Sequence, residues 1–303
     1  MIGANETANA RCFFEGFGKP CDCLAELKDH GVGSIELQQI SRDSHAGSLL
    51  DAVQTVICSG MKVTLHGYLP LNMKGCLFGD FYFSLLPAIG YLNDRQEETV
   101  MVVHAYAGPG ADAAALIEST AEALEKITES IHTSNLPVRV GLEINRYHGV
   151  ETPGTTYDGL LKMTQYLNCS EVGFCWDMGH TRSSVLQHRL PPVPPPEFIE
   201  KVIHTHVHGL SPDGDTHRPL TKSFSHISSG VSQLMSFGYN GTYNLELYPV
   251  RWEAEEVVRD EVLGSILRLR EIIKQSAAPP QAGRQQPKKH REANVDAESL
   301  CRV

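Results

Sequence analysis

The chain has 303 residues, 41% of them hydrophobic and 20% charged, with a formal net charge of −10. This composition supports a packed core, in one large domain or two small ones, and excludes a chain that is disordered throughout. The acidic balance disfavours nucleic acid and anionic membrane as partners, though it leaves room for a local basic cleft. No apolar run reaches transmembrane length and no charged-then-apolar leader is visible.

Taken in order, residues 1–10 are polar and read as poorly ordered, and 11–16 as a first strand. A helix over 21–30 ends at Gly31. Ser34-Ile-Glu-Leu-Gln-Gln-Ile40 reads as the second strand and 49–58 as a helix. The third strand, Lys62-Val-Thr-Leu-His66, is followed by a loop and an apolar helix over 81–92. The fourth, Val100-Met-Val-Val-His104, leads to a long alanine-rich helix over 111–131 with acids on its outer face. Val138-Arg-Val-Gly-Leu-Glu143 is the fifth strand, with a helix over 158–167 after it. Val172-Gly-Phe-Cys-Trp-Asp177 is the sixth. A proline-rich passage over 191–196 and a short helix around Phe198 precede Val202-Ile-His-Thr-His206, the seventh. Tyr243-Asn-Leu-Glu246 is the eighth, and a helix over 253–274 closes the pattern.

Strands alternating with helices over this length predict a single (β/α)8 TIM barrel spanning 11–275. No Gly-x-Gly-x-x-Gly follows the first strand, which argues against a doubly wound open sheet. Residues 276–303, with Pro279-Pro280 and a lysine pair, read as a disordered tail. The eight cysteines show no zinc-ribbon spacing. Cys58, Cys169 and Cys175 lie in apolar stretches and read as small buried thiols, and the expected setting is reducing and cytoplasmic.

Six of the strands end in a residue type that binds metal, and parallel α/β sheets do their chemistry at those ends. His66, His104, Glu143, Asp177, His206 and Glu246 close strands. His180 follows Asp177 by three residues, and Asp215 and His217 lie in the loop after the seventh strand. So many carboxylates at one mouth would repel unless cations neutralise them, and mixed nitrogen and oxygen ligands suit Zn²⁺ or Mn²⁺. Nine candidate ligands are enough for two or three ions. His204, His206 and His208 alternate, so period 2 puts all three on one side of the strand and spacing alone does not choose among them. Glu36 ends no strand and is set aside.

These residues resemble the xylose isomerase-like TIM-barrel superfamily, which includes sugar isomerases, sugar epimerases and endonuclease IV (AP endonuclease family 2). The most specific piece is Gly173-Phe-Cys-Trp-Asp-Met-Gly-His180. Leu65-His-Gly-Tyr-Leu-Pro-Leu-Asn72 and Asp215-Thr-His217-Arg-Pro-Leu220 are similar to two further segments of the family. The endonuclease IV pattern would put one ion on His66, His104 and Glu143, a second on Glu143, Asp177, His206 and Glu246, and a third on His180, Asp215 and His217. The epimerase pattern would use Glu143, Asp177, His206 and Glu246 on one ion, with His180 touching substrate. Val207-His-Gly-Leu-Ser211 departs from the endonuclease segment after the seventh strand, and Pro212 stands where the epimerases have an arginine, with Arg218 further along.

The resemblance implies a divalent-metal enzyme. The first expectation is an isomerase or epimerase of a small sugar or sugar phosphate, with Glu143, Glu246 and His180 catalytic and Arg218 and His208 contacting substrate. The alternative is a multinuclear zinc phosphoester hydrolase, whose metal-bound hydroxide would attack phosphorus in line.

Overall fold

In Ser34-Ile-Glu-Leu-Gln38 apolar and polar residues alternate, and in an extended chain that sends them to opposite faces. Other strands repeat the pattern, and the consequence is a closed barrel with an apolar outside and a polar lining. A computed structural model describes residues 2–6, 20–38, 46–67, 69, 86–108, 110–165, 167, 169–220, 224–248 and 258–277. Its strands are β1 (Ile2–Glu6), β2 (Ser34–Gln38), β3 (Lys62–His66), β4 (Thr99–His104), β5 (Val138–Glu143), β6 (Val172–Asp177), β7 (Val202–Val207) and β8 (Tyr243–Leu245). All pairs are parallel, each strand lies beside the next in sequence, and β8 closes on β1. The register shifts once between β6 and β7, at Phe174/Cys175, and then sets Asp177 opposite His206.

Ile35, Leu37, Val63, Leu65, Met101, Val103, Val140, Leu142, Phe174, Trp176, Val207, Tyr243 and Leu245 belong to one apolar cluster that also takes in the inner faces of the helices. In α4 (Ala113–Thr133), Leu124, Ile127 and Ile131 are buried at helical spacing, and Asp112 caps the first turn by accepting from the Ala115 amide at 3.2 Å. The earlier helices are α1 (Pro20–Asp29), α2 (Ala46–Cys58) and α3 (Leu86–Asn93). Those that follow are α5 (Tyr157–Gln165), α6 (Met178–Leu186), α7 (Pro196–Ile199), α8 (Ser225–Ser236) and α9 (Val258–Ala277). Proline starts α7, where a missing N–H costs nothing, and its Phe198 stacks on Phe174 with ring centroids 4.9 Å apart.

The eight-stranded barrel is as expected, but its first strand is not. Ile2–Glu6 forms β1, paired to β2 and β8, so the barrel begins before residue 11. The short run Ile-Gly-Ala-Asn-Glu carries one large apolar side chain, too little to read as a strand without its two neighbours. The run over 11–16 and the tail beyond Ala277 lie outside the described residues, as do 39–40, 81–85 and 253–257 at the edges of expected elements. Two helices, α6 and α8, were not anticipated. The α6 segment has little amphipathic pattern, and the Ser225-His-Ile-Ser-Ser-Gly230 start of α8 is rich in residues that favour turns. Of the thiols expected to be buried, Cys175 is; Cys169 is partly covered and Cys58, at the end of α2, is exposed. None of Cys23, Cys58, Cys169 and Cys175 forms a disulfide. Among the described residues no helix is long and apolar enough to cross a membrane.

Candidate active site

The lumen side of the strands carries Glu36, Thr64, Glu143, Asp177, His204, His206 and Asn244, all buried, with Glu246 just past β8. Their carboxylates and imidazoles converge at the carboxyl ends of the strands. Glu143 is the hub. Its Oε2 lies 3.2 Å from His66 Nε2, 3.0 Å from His104 Nε2 and 3.3 Å from His206 Nδ1, and its Oε1 lies 3.2 Å from His180 Nδ1. His206 Nδ1 is also 3.2 Å from Glu246 Oε2 and 3.9 Å from Asp177 Oδ2.

Asp177 owes its position to the strand-to-helix turn. It is the last residue of β6 and the N-cap of α6, where its Oδ1 accepts the His180 amide at 2.6 Å. The cap places His180 in the first turn, with Nδ1 3.2 Å from Asp177 Oδ2. Gly179 lies between them because His208 occupies the space a side chain would need: an added Cβ would sit 1.9 Å from His208 Cε1.

His208 is fully buried, with Nε2 3.1 and 3.2 Å from the two Asp177 oxygens. Its Nδ1 lies 2.9 Å from the His217 amide nitrogen and 3.1 Å from the Gly209 carbonyl oxygen, so both ring nitrogens have protein partners. His208, expected to contact substrate, faces Asp177 and braces it. His217 reaches this place with φ of 60°, a left-handed conformation that costs a β-carbon residue of order 1–3 kcal/mol. Its ring stacks on His208 at 4.4 Å and its Nε2 lies 3.3 Å from Glu246 Oε2.

Asp215 and Arg218, expected as metal ligand and substrate contact, lie against each other. Arg218 Nε and Nη2 both donate to Asp215 Oδ2, at 3.1 and 2.7 Å, and Arg146 Nη1 lies 3.8 Å from its Oδ1. Two guanidiniums satisfy this carboxylate, and the third-ion set of His180, Asp215 and His217 does not assemble. Ligand atoms of Asp177, His180, His208 and His217 do lie within 4.8 Å of one another, with His208 turned onto Asp177. His104, nearly half exposed, stands at the rim.

Sequence reasoning passed over Glu36 and left His204 undecided. Glu36 Oε1 accepts from His206 Nε2 at 3.0 Å and Oε2 from His204 Nε2 at 2.9 Å, and Thr64 Oγ1 lies 3.4 Å from Oε2. The missed signal was the alternation in β2. With Ile35 and Leu37 facing the helices, Glu36 has to face the lumen.

The electrostatics are those of a site built around positive charge. Burial opposes ionisation of Glu143, yet His104, His206 and His180 hold its carboxyl well below the usual range. Burial likewise opposes ionisation of Glu246, and His206 and His217 outweigh it. Burial also opposes a charge on His180, but Asp177, Glu143 and Glu246 push its pKa up to about 9. Glu143 Oε1, His180 Nδ1 and His206 Nδ1 are buried and make no hydrogen bond. Leaving such atoms unsatisfied costs about 1–3 kcal/mol each, a cost that coordination removes. Ligand atoms of Glu143, Asp177, His206 and Glu246 all lie within 4.8 Å of one another, so three carboxylates and an imidazole fit one divalent cation.

Beside this group a cavity of about 330 Å³ is lined by His104, Asn145, Arg146, His148, Thr152 and His180, among others. That volume is at the small end for small-molecule sites.

Residues 80–267 match the family described as Xylose isomerase-like TIM barrel. A D-tagatose 3-epimerase-like protein of known structure superposes with a TM-score of 0.61 at 17% identity, over 91% of this chain and 99% of that one. An L-ribulose 3-epimerase structure gives 0.61 at 16% identity, over 94% and 99%. At such identities the likeness is one of fold. A curated relative, the uncharacterized protein MJ1188 of Methanocaldococcus jannaschii, is 38% identical over 76 residues, which are 24% of this chain and 28% of that protein.

Proposed function

Because the chain belongs to the xylose isomerase-like TIM-barrel family, we propose that it is a divalent-metal-dependent isomerase or epimerase of a small sugar or sugar phosphate. The observation that carries this reading is the buried quartet Glu143, Asp177, His206 and Glu246, beside a cavity of monosaccharide scale. The names of the epimerases that share the fold point the same way. A Zn²⁺ or Mn²⁺ ion held by the quartet would supply a Lewis acid for two neighbouring substrate oxygens.

The chain supplies the proton transfers. Glu143 and Glu246 come from β5 and from the end of β8, and both are ionised. One carboxylate removes the proton from the carbon beside the substrate carbonyl, and the electron pair moves into the resulting enediolate. Return of that proton by the same carboxylate to the adjacent carbon, as the hydroxyl proton passes to the former carbonyl oxygen, moves the carbonyl; inversion of the centre needs the opposite carboxylate first to take a proton from water and then to deliver it to the other face. His180 Nδ1 lies 3.2 Å from both Asp177 and Glu143, so the ring is placed at the edge of the quartet where a developing oxyanion would need a hydrogen-bond donor.

A second reading, phosphoester hydrolysis on more than one zinc, is favoured by His66. Its Nδ1 lies 3.2 Å from the Gly67 carbonyl, which holds the ring proton there and leaves Nε2 facing Glu143 as a potential further ligand.

The deciding experiment incubates metal-loaded protein in D₂O with a panel of ketopentoses, ketohexoses and their phosphates, and follows deuterium at carbon by NMR. Exchange at one C–H, lost in Glu143→Gln and in Glu246→Gln, is the expected result. No exchange on any of them, with turnover of bis(p-nitrophenyl) phosphate, would replace the first reading with the second.

A further inference from the structure

Glu36 lies one layer deeper in the barrel than the quartet and contacts no group that would touch a substrate. It is fully buried, on the lumen side of β2, and each of its oxygens is occupied. Oε1 faces His206 Nε2 at 3.0 Å, and Oε2 faces His204 Nε2 at 2.9 Å with Thr64 Oγ1 at 3.4 Å. An ionised carboxylate only accepts hydrogen bonds, so both imidazoles present an N–H to it. For His206 this decides which nitrogen carries the lone pair. With a proton held on Nε2, Nδ1 is the nitrogen that the neutral ring can offer to a cation, and it lies 3.2–3.3 Å from Glu246 Oε2 and Glu143 Oε2.

We infer that Glu36 is a positioning residue for the metal centre: it fixes the tautomer and ring plane of His206 so that Nδ1 is offered to the cation, and His204 and Thr64 keep the Glu36 carboxylate from rotating away. The inference rests on the metal reading of the quartet. A histidine ligand commonly gives its other ring N–H to a carboxylate, which raises its basicity, and loss of such a partner typically weakens metal binding 10- to 100-fold. Here Glu36 of β2 bridges His204 and His206 of β7, so β2 supports the site through the ring of a ligand. It also accounts for a second buried histidine two residues before the first.

The test uses the full chain loaded with zinc and labelled with ¹⁵N-histidine. In the wild type, His206 should show a protonated Nε2, its proton shifted downfield by the carboxylate, and a zinc-bound Nδ1. Glu36→Gln, close in size, should move that proton upfield and weaken zinc binding 10- to 100-fold in a chelator competition, with Glu36→Asp in between. Circular dichroism checks that each variant folds, and the wild-type spectrum is decisive on its own should a variant fail to fold. Wild-type protein that binds no zinc would overturn both the metal reading and this inference. Zinc bound through His206 Nε2, or Glu36→Gln with wild-type affinity and an unshifted resonance, would overturn the role of Glu36 and leave the metal reading standing.

Discussion

Asp177 Oδ1 accepts the His180 amide at 2.6 Å, so the carboxylate that caps α6 belongs to the same side chain that faces His206. The two duties separate on substitution. Asparagine caps a helix as well as aspartate does, whereas alanine forfeits about 1 kcal/mol. Asp177→Asn should therefore fold with near-native stability yet lose most of its bound metal and its activity. Asp177→Ala should lose both metal and about 1 kcal/mol of stability. Denaturant melts beside elemental analysis check this, and full activity in Asp177→Asn would remove Asp177 from the site.

Gly179, in the first turn of α6, makes room for a side chain from just past β7. Its added Cβ would lie 1.9 Å from His208 Cε1, and His208 can retreat only by leaving Asp177 and the His217 amide. Gly179→Ala should cost about 1–3 kcal/mol by overpacking. It should also reduce metal affinity, although it removes no ligand. Unchanged affinity would show that His208 is dispensable to Asp177.

The protonation of the metal-free site makes metal uptake depend on pH. Burial works against the charge on His206, but the anionic groups around it raise its pKa well above 6.5. The carboxylates around His180 raise it to about 9. Coordination needs His206 Nδ1 bare, and a cation withdraws from His180 the negative charge that keeps it protonated. Affinity should climb from pH 6.5 towards about 9 and flatten above, with protons released to buffer on binding. Stability of the metal-free chain should run the other way. A histidine raised from 6.5 to about 9 contributes stability that is complete below 6.5 and lost as pH rises through 9. Calorimetry in buffers of different ionisation enthalpy measures the first effect, and melts of chelator-treated protein the second.

Metal content separates the two functional readings. With Asp215 paired with Arg218 and Arg146 and His208 Nε2 turned onto Asp177, the quartet should fill and the neighbouring histidines should not hold a second ion, giving one ion per chain. The His66→Ala/His104→Ala double variant should keep that ion. Two or three ions in metal-replete protein, one of them lost from the double variant, would favour phosphoester hydrolysis.

What the sequence made legible follows one rule. A metal-binding residue type at a strand's carboxyl end was visible because an apolar run ends there, and Glu143, Asp177 and Glu246 stand where that reading puts them. Glu36 sits mid-strand, so no such break marked it; only the alternation with Ile35 and Leu37 did. The pairing of Asp215 with Arg218 was hidden for a different reason. Its fate depends on Arg146, far away in sequence, and on a loop geometry in which His217 adopts a left-handed backbone. β1 was missed because its pairing partners, not its own five residues, make it a strand.

The alternation in these strands has a consequence for how such a protein can change. Leu142 and Glu143, Trp176 and Asp177, and Leu245 and Glu246 are chain neighbours, yet the first of each pair joins the apolar layer under the helices and the second faces the site. Residues one step apart therefore answer to separate selective demands. A lineage could rewrite the lumen for a new sugar or a new metal, one alternate position at a time, while the layer that holds the barrel together goes on unaltered.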